Sequence, residues 1–305
     1  LRRVSEVRMR CMSIMIDLHL HSTNSDGSET PEELVALGRR AGVTALALTD
    51  HDSMDGVSDF LAACRSEGMT GIAGVEISAA VEEGHGTLHI LGYGVNPEHP
   101  LVVENLERVL EGRLWRNERI LEKLNALGME LEWGDVQECA GEDVVGRVHF
   151  AQALIDRDYV SSVTEAFERY LSKGRPAYVD RYRLYPDEGI RMIREAGGVA
   201  VVAHPFSWEL DEAKLEAGLR GLKALGLVGL EAVYSEYGQE QTVTLLRLAK
   251  KLELLPTGGS DYHGLHKPEI ALGKGLGNLC VPDDYLAPLL QAMGEANPWV
   301  AVSKG

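Results

Sequence analysis

Five short apolar runs in this chain each end in a string bearing histidine or carboxylate, and that recurring ending leaves few architectures open. The runs, residues 14–16, 43–48, 72–75, 199–203 and 254–257, have the length and composition of buried strands. After them come Asp17-Leu18-His19-Leu20-His21, Thr49-Asp50-His51-Asp52, Glu76, His204-Pro205 and, past Gly258 and Gly259, Ser260-Asp261-Tyr262-His263. With Asp26 and the string Leu88-His89-Ile90, the candidates for binding divalent metal are His19, His21, Asp26, His51, Glu76, His89, His204, Asp261 and His263. Helical patterns separate the runs, at about residues 31–41, 56–67, 186–196, 212–225 and 240–252. Alternating strand and helix implies parallel, buried strands. In a closed barrel of such strands the carboxyl ends share one rim, where residues far apart in sequence meet.

Composition narrows the class. The chain has 305 residues, 45% of them hydrophobic, enough for one barrel-sized core with an insertion. No apolar stretch approaches the ~20 residues of a membrane span. Residues 1–13 carry four arginines without the apolar stretch of a secretory signal, so they read as a disordered extension. Cys11, Cys64, Cys139 and Cys280 form no CxxC pair and read as reduced thiols of a cytoplasmic protein. A net charge of −17 argues against a long nucleic-acid surface but permits a local pocket of arginines.

One segment breaks the alternation. Residues 96–178 are mainly helical and charged, with helices expected at 102–127, 147–157 and 163–171. They read as a cap inserted into a barrel domain formed by residues 14–95 and 179–296. The cap bears Arg113, Arg116, Arg119, Arg147, Lys173 and Arg175, most of which read as a solvated helix face.

The donor types point to the metal. His19 and His21 stand one residue apart, so on a strand both face the same way and can grip one ion. Imidazoles with carboxylates suit zinc, manganese or iron, whereas magnesium prefers oxygen alone. Glu76 has two oxygens and can bridge two ions. Nine donors serve three ions at about three apiece, leaving positions for water and substrate. Read alone, the His19 and His21 pair could equally be satisfied residues at a strand end. Asp52 reads as a helix cap, and Asp50 as a hydrogen-bond partner behind a histidine.

Taken together, Asp17-Leu18-His19-Leu20-His21-Ser22, Asp26-Gly27, Leu48-Thr49-Asp50-His51-Asp52, Gly74-Val75-Glu76-Ile77-Ser78, His89-Ile90-Leu91-Gly92-Tyr93, Val202-Ala203-His204-Pro205 and Gly258-Gly259-Ser260-Asp261-Tyr262-His263 resemble the motifs of the polymerase and histidinol phosphatase (PHP) superfamily. The resemblance covers roughly residues 15–277. It is strongest to the bacterial branch with a helical insertion, which includes a nucleoside 3′,5′-bisphosphate phosphatase and a 5′ to 3′ exoribonuclease. Gly146-Arg147-Val148-His149 is similar to that branch's Gly-Arg-Pro-His segment, with Val148 in the proline position.

The resemblance implies a distorted (β/α)7 barrel and two to three divalent ions of manganese, iron or zinc. By it, His19, His21, Glu76 and Asp261 hold one ion; Asp26, His51 and His263 a second; Glu76, His89 and His204 a third. Arg147 and His149 become substrate contacts, with Tyr93, Arg181 and Arg183 as weaker candidates. Three divalent ions offset by three carboxylates and a hydroxide leave roughly +2, suited to a dianionic phosphoryl group. The implied activity is a metal-dependent phosphoesterase in which water activated by the ions attacks phosphorus. The expected substrates are 3′,5′-bisphosphorylated nucleotides, losing the 3′-linked phosphate, and short 5′-phosphorylated oligonucleotides. The alternatives are a histidinol-phosphate phosphatase, which the arginine-bearing cap disfavours, and a non-catalytic PHP binding module, which the full donor set disfavours. An amidohydrolase lacks support because no strand-end lysine is placed to bridge two ions.

Overall fold

A computed structural model describes residues 15–81, 86–140, 145–294 and 296–302. The extension expected at residues 1–13 lies outside the described residues. Strand β1 (Met15–Leu20) is followed by helix α1 (Pro31–Ala41), β2 (Val43–Leu48), α2 (Val57–Glu67), β3 (Thr70–Ala79) and β4 (Leu88–Tyr93). The helix boundaries have local causes. Thr30 accepts from Glu33 N while the Glu33 carboxylate accepts from Thr30 N, Pro31 opens the first turn, and Gly42 in the left-handed region closes α1.

After β4 come α3 (Pro100–Ala126), α4 (Trp133–Ala140), α5 (Arg147–Asp156) and α6 (Val163–Ala166), which runs into a π-helical turn at Phe167–Leu171. The single helix expected at 163–171 is therefore divided, and α4 was not foreseen. The barrel pattern then resumes with α7 (Pro186–Glu195), β5 (Val199–Ala203), α8 (Glu212–Leu225), β6 (Gly229–Tyr234), α9 (Gln239–Leu252) and β7 (Leu255–Gly259). Helix α10 (Leu286–Met293) and the short β8 (Val300–Ala301) complete the described chain.

The strands neighbour one another in the order β1-β2-β3-β4-β5-β6-β7, with β8 on the far side of β3. The sheet is nearly closed into a barrel. Asp261 N donates to His19 O (2.9 Å) and His21 N to Tyr262 O (3.0 Å), joining the segment after β7 to β1. That approach needs glycine at Gly259, because a Cβ there would run into the backbone and Cβ of His19.

The five runs expected as parallel strands share one direction, and the exception is β4, which was not among them. Strand β4 runs antiparallel to both β3 and β5, while β1–β2, β2–β3, β5–β6 and β6–β7 are parallel. The reversal decides where His89 goes. It stands near the amino end of β4, opposite Ser78 near the end of β3 and Ala203 at the end of β5, so an inverted strand delivers its first residues to the rim the others reach with their last.

Ile16, Leu18, Ala45, Ala47, Ile72, Leu91, Tyr93, Val199, Val201, Ala203 and Val233 form one buried apolar cluster along the strands. A second packs strand residues such as Leu46, Ile77, Ala200 and Val202 against helix residues such as Leu34, Phe60, Ile190, Leu219 and Leu248. The inserted helices have an apolar cluster of their own, including Ile120, Leu124, Val136, Phe150, Leu154 and Leu171. Cys64 and Cys139 are free thiols. Cys11 lies outside the described residues. Among the described residues no helix is long and apolar enough to cross a membrane.

Candidate metal centre

The barrel rim gathers all nine side chains singled out from the sequence around the carboxylate of Glu76. Its Oε2 lies 3.2 Å from His19 Nε2, 3.2 Å from His21 Nε2 and 3.0 Å from His51 Nδ1. Its Oε1 lies 2.9 Å from His89 Nδ1 and 3.0 Å from His204 Nε2. Asp261 Oδ1 approaches His21 Nε2 at 3.0 Å and His19 Nε2 at 3.4 Å. Asp26 sits between His263 Nε2 (3.3 Å), His21 Nδ1 (3.5 Å) and His51 Nε2 (3.8 Å).

Three groups have donor atoms within 4.8 Å of one another: His19, His21, Glu76 and Asp261; His21, Asp26, His51 and His263; and His51, Glu76 and His89. The first has the composition expected from the sequence. The second gains His21, and the third has His51 where His204 was expected, although His204 still reaches the other oxygen of Glu76.

The donors fit metal ions by a test independent of their identity. Buried polar atoms are almost always hydrogen-bonded. Among the described residues seven buried side-chain nitrogen or oxygen atoms lack a hydrogen-bond partner, and five belong here: His19 Nε2, His21 Nδ1, His21 Nε2, His51 Nδ1 and Glu76 Oε2. They converge without the alignment that hydrogen bonds need, which is the arrangement of lone pairs awaiting cations. Charge inside the cluster is correspondingly unsettled. Burial alone would raise Glu76, but the charges of His51, His19 and His89 hold it well below the usual carboxylate range. Burial opposes a charge on His21, yet the adjacent carboxylates of Asp261, Glu76 and Asp26 push it up to about 10. Burial pushes His51 down to about 3, with Glu76 and Asp26 opposing only in part.

A surrounding layer fixes which atom of each donor faces inward. His19 Nδ1 donates to Glu231 Oε1 (3.0 Å), whose Oε2 accepts from His204 N (2.8 Å). His204 Nδ1 pairs with Ser207 Oγ (2.8 Å), and His263 Nδ1 donates to the Asp261 carbonyl (2.8 Å). Tyr234 OH (2.9 Å) and Lys267 Nζ (2.7 Å) both donate to Asp261 Oδ2, leaving Oδ1 for the cluster. Such partners set tautomer and orientation, and their loss weakens metal binding. The backbone contributes strain: Asp52, His204 and Asp261 are non-glycine residues with φ of 53°, 24° and 55°.

The outer residues depart from expectation. Asp50 accepts from Ser22 N (2.7 Å), Ser22 Oγ (2.7 Å) and Ser25 Oγ (2.5 Å), not from a histidine. It braces the loop between His21 and Asp26. Asp52 caps no helix: its Oδ1 accepts from Ser78 N (2.9 Å), and its Oδ2 from Arg181 Nη1 (2.9 Å) and Arg113 Nη2 (3.2 Å). Arg113 lies largely buried rather than on a solvated face, as does Arg116, and Arg181 is largely buried beside them.

Among the described residues Arg116 has only neutral hydrogen-bond partners, Asn117 Oδ1 and the Val145 carbonyl. Burial and then the charges of Arg181, Arg113, Arg147 and Arg183 push its guanidinium down to about 9. Arg147 opens α5, donates to Leu171 O (3.2 Å), and sits over the rings of Phe167 and Tyr178 at 5.7 and 5.5 Å. His149 Nδ1 accepts from Gly146 N (3.0 Å). Neither Arg147 nor His149 lines the cleft of about 300 Å³ at the rim, which is bounded by His51, His89, His204, Ser207, Tyr234, Tyr237, Asp261, His263 and Lys267, together with Glu236. Tyr93 is a structural residue whose OH donates to Leu18 O (2.8 Å).

Glu231, Lys267, Tyr234 and Asp52 were missed as site residues. Glu231 left one signal, a lone acid inside the apolar strand Gly-Leu-Glu-Ala-Val-Tyr, since a buried carboxylate is rare without a partner.

Comparison with known proteins agrees with this geometry. Residues 17–111 match the PHP domain family. The chain is 32% identical over 249 residues to the 3′,5′-nucleoside bisphosphate phosphatase of Chromobacterium violaceum, a match spanning 81% of this chain and 87% of that protein. It is 34% identical over 252 residues to a 5′-3′ exoribonuclease of Haemophilus influenzae, spanning 83% and 91%. A crystal structure from Bifidobacterium adolescentis, described as a metal-dependent phosphoesterase, superimposes with a TM-score of 0.75 at 30% identity, covering 92% of this chain and 96% of the other.

Proposed function

Since this chain belongs to the PHP family of metal-dependent phosphoesterases, we propose that it removes the 3′-linked phosphoryl group from 3′,5′-bisphosphorylated nucleotides and, less efficiently as length grows, cleaves short 5′-phosphorylated oligonucleotides. The observation that carries this reading is the pairing of a donor cluster centred on Glu76 with a set of buried arginines that Asp52 only partly neutralises. The cluster suits one phosphoryl group and the arginines a second. A substrate with two phosphates a nucleoside apart uses both. Arg113 ties the two regions together electrostatically, because the carboxylates of Asp52 and Asp26 both sustain its charge against burial and Arg181.

The metal groups are assigned as His19, His21, Glu76 and Asp261; Asp26, His51 and His263 with His21 adjacent; and Glu76 with His89 and either His51 or His204. When bound, divalent ions supply Lewis acidity toward the phosphoryl oxygens and lower the pKa of water. The chain's own residues supply position. Glu231 and Ser207 turn His19 and His204 so that each Nε2 faces the centre, and Tyr234 with Lys267 holds Asp261 so that one oxygen enters it. Lys267 also presents fixed positive charge to the cleft, where phosphoryl oxygens would lie. His51, His89 and His263 bound the same cleft and fix the direction from which the ester approaches.

Phosphate release from adenosine 3′,5′-bisphosphate, a short 5′-phosphorylated RNA, histidinol phosphate and 4-nitrophenyl phosphate, measured with manganese-reconstituted protein, tests the reading. The bisphosphate should give the highest kcat/KM. A higher value for histidinol phosphate would overturn the nucleotide assignment while leaving the phosphoesterase class intact.

A further inference from the structure

Asp52 follows the donor His51 in sequence, yet its side chain serves the inserted helices. Its backbone and carboxylate are both fastened to β3: Asp52 N donates to Glu76 O (2.9 Å), and Ser78 N donates to Asp52 Oδ1 (2.9 Å). The remaining oxygen, Oδ2, receives Arg113 from α3 and Arg181 from the irregular segment before α7. These residues are 61 and 129 positions away in sequence. The carboxylate is almost wholly buried, and φ of 53° at Asp52 is a conformation that tertiary contacts must maintain. Each guanidinium carries five N–H donors and, among the described residues, spends one on Asp52. The others have no protein acceptor among the described residues.

Resting on the proposed substrate reading, we infer that Asp52 is a positioning residue that sets where Arg113 and Arg181 hold the second phosphate, at a fixed distance from the centre on Glu76. The rigidity comes from β3, which bears both Glu76 and the Ser78 amide that pins Asp52. Without that carboxylate two buried guanidinium groups repel each other and turn toward solvent. A one-phosphate substrate has nothing to lose from this; a two-phosphate substrate loses its distal grip.

The test is Asp52→Asn, which keeps shape and removes charge. Its KM for adenosine 3′,5′-bisphosphate should rise ~10- to 100-fold more than its KM for 4-nitrophenyl phosphate, the range expected for loss of a charge-assisted anchor. Metal content by elemental analysis should match the wild type. In an Arg113→Met, Arg181→Met background the same substitution should add no further loss of bisphosphate preference. Equal KM changes on both substrates, depleted metal, or fully additive losses would overturn the inference and make Asp52 a support for the His51 loop alone. If Asp52→Asn does not fold, Arg113→Lys with Arg181→Lys carries the test, since lysine keeps charge but lacks the planar fork. That variant should lose the preference, and its retention would refute the geometry. A wild-type enzyme without any preference for the bisphosphate would sink the substrate reading beneath it, whereas a preference that survives in Asp52→Asn would sink only the role of Asp52.

Discussion

Replacing Glu76 by Gln puts the greatest demand on the proposed centre, because one carboxylate touches five imidazoles. Its Oε2 faces His19, His21 and His51, and its Oε1 faces His89 and His204, all between 2.9 and 3.2 Å. Glutamine is nearly isosteric and preserves the packing of β3, so the fold should survive. It is neutral, however, and its amide nitrogen offers donors where a cation needs acceptors. If Glu76 serves two ions, one charge-assisted contact of ~1.5–3 kcal/mol is lost to each, or ~3–6 kcal/mol in all. That corresponds to ~10²- to 10⁴-fold in combined metal affinity or turnover. The assay is elemental analysis of stripped and reloaded protein beside steady-state phosphate release, with circular dichroism to verify folding. Wild-type metal content together with turnover within about threefold of the wild type would refute the bridging assignment, since such a change is below a single lost contact.

Other perturbations separate the roles of the surrounding residues. Glu231→Gln weakens the hold on His19 Nδ1 and His204 N, and should cost ~10- to 100-fold in metal affinity, read by competition with a calibrated chelator; no change would make Glu231 a packing residue. Arg181→Ala should raise KM for adenosine 3′,5′-bisphosphate more than Arg147→Ala, because Arg181 is tied through Asp52 to the strand that bears Glu76, whereas Arg147 lies against Leu171 O and the rings of Phe167 and Tyr178; the reverse order would place the anion at α5. Metal binding should release protons at pH 7–8. His21, raised to about 10 in the metal-free protein, is protonated there and must lose its proton to coordinate, whereas His51, already lowered to about 3, contributes none. Apparent affinity should therefore rise up to ~10-fold per pH unit for each displaced proton below pH 10, and a pH-independent affinity in calorimetric titration would contradict this.

Most of the candidate metal donors were legible in the sequence because they sit in strings closing apolar runs, Asp26 in a loop and His89 at the start of β4 excepted, and barrel geometry brings such strings together wherever they lie along the chain. His19 with His21 and Asp261 with His263 illustrate this, meeting across some 240 residues through the β1 and β7 junction. Strand direction was not legible: β4 has the same apolar character whichever way it runs, and only its pairing with β3 and β5 reveals the inversion. Side chains with tertiary partners were also hidden. Asp52 has the local signature of a turn or cap residue, and its real partners come from the inserted helices and the chain beyond them. Lys267 and Tyr234 carry no motif, and acquire meaning only because both reach one oxygen of Asp261. For Arg147 a motif drew attention to the residue but did not reveal the contacts of its guanidinium with Leu171 O and two rings.

Activity as a function of metal restored to stripped protein tests the central claim most directly, since every assignment depends on the Glu76 cluster holding the ions that make phosphoester cleavage possible. Chelation should abolish phosphate release from adenosine 3′,5′-bisphosphate, and titration with Mn²⁺ should restore it with a break at two to three ions per chain, the number the three donor groups accommodate. Full activity in protein shown by elemental analysis to be metal-free, or restoration requiring no stoichiometric metal, would contradict the account.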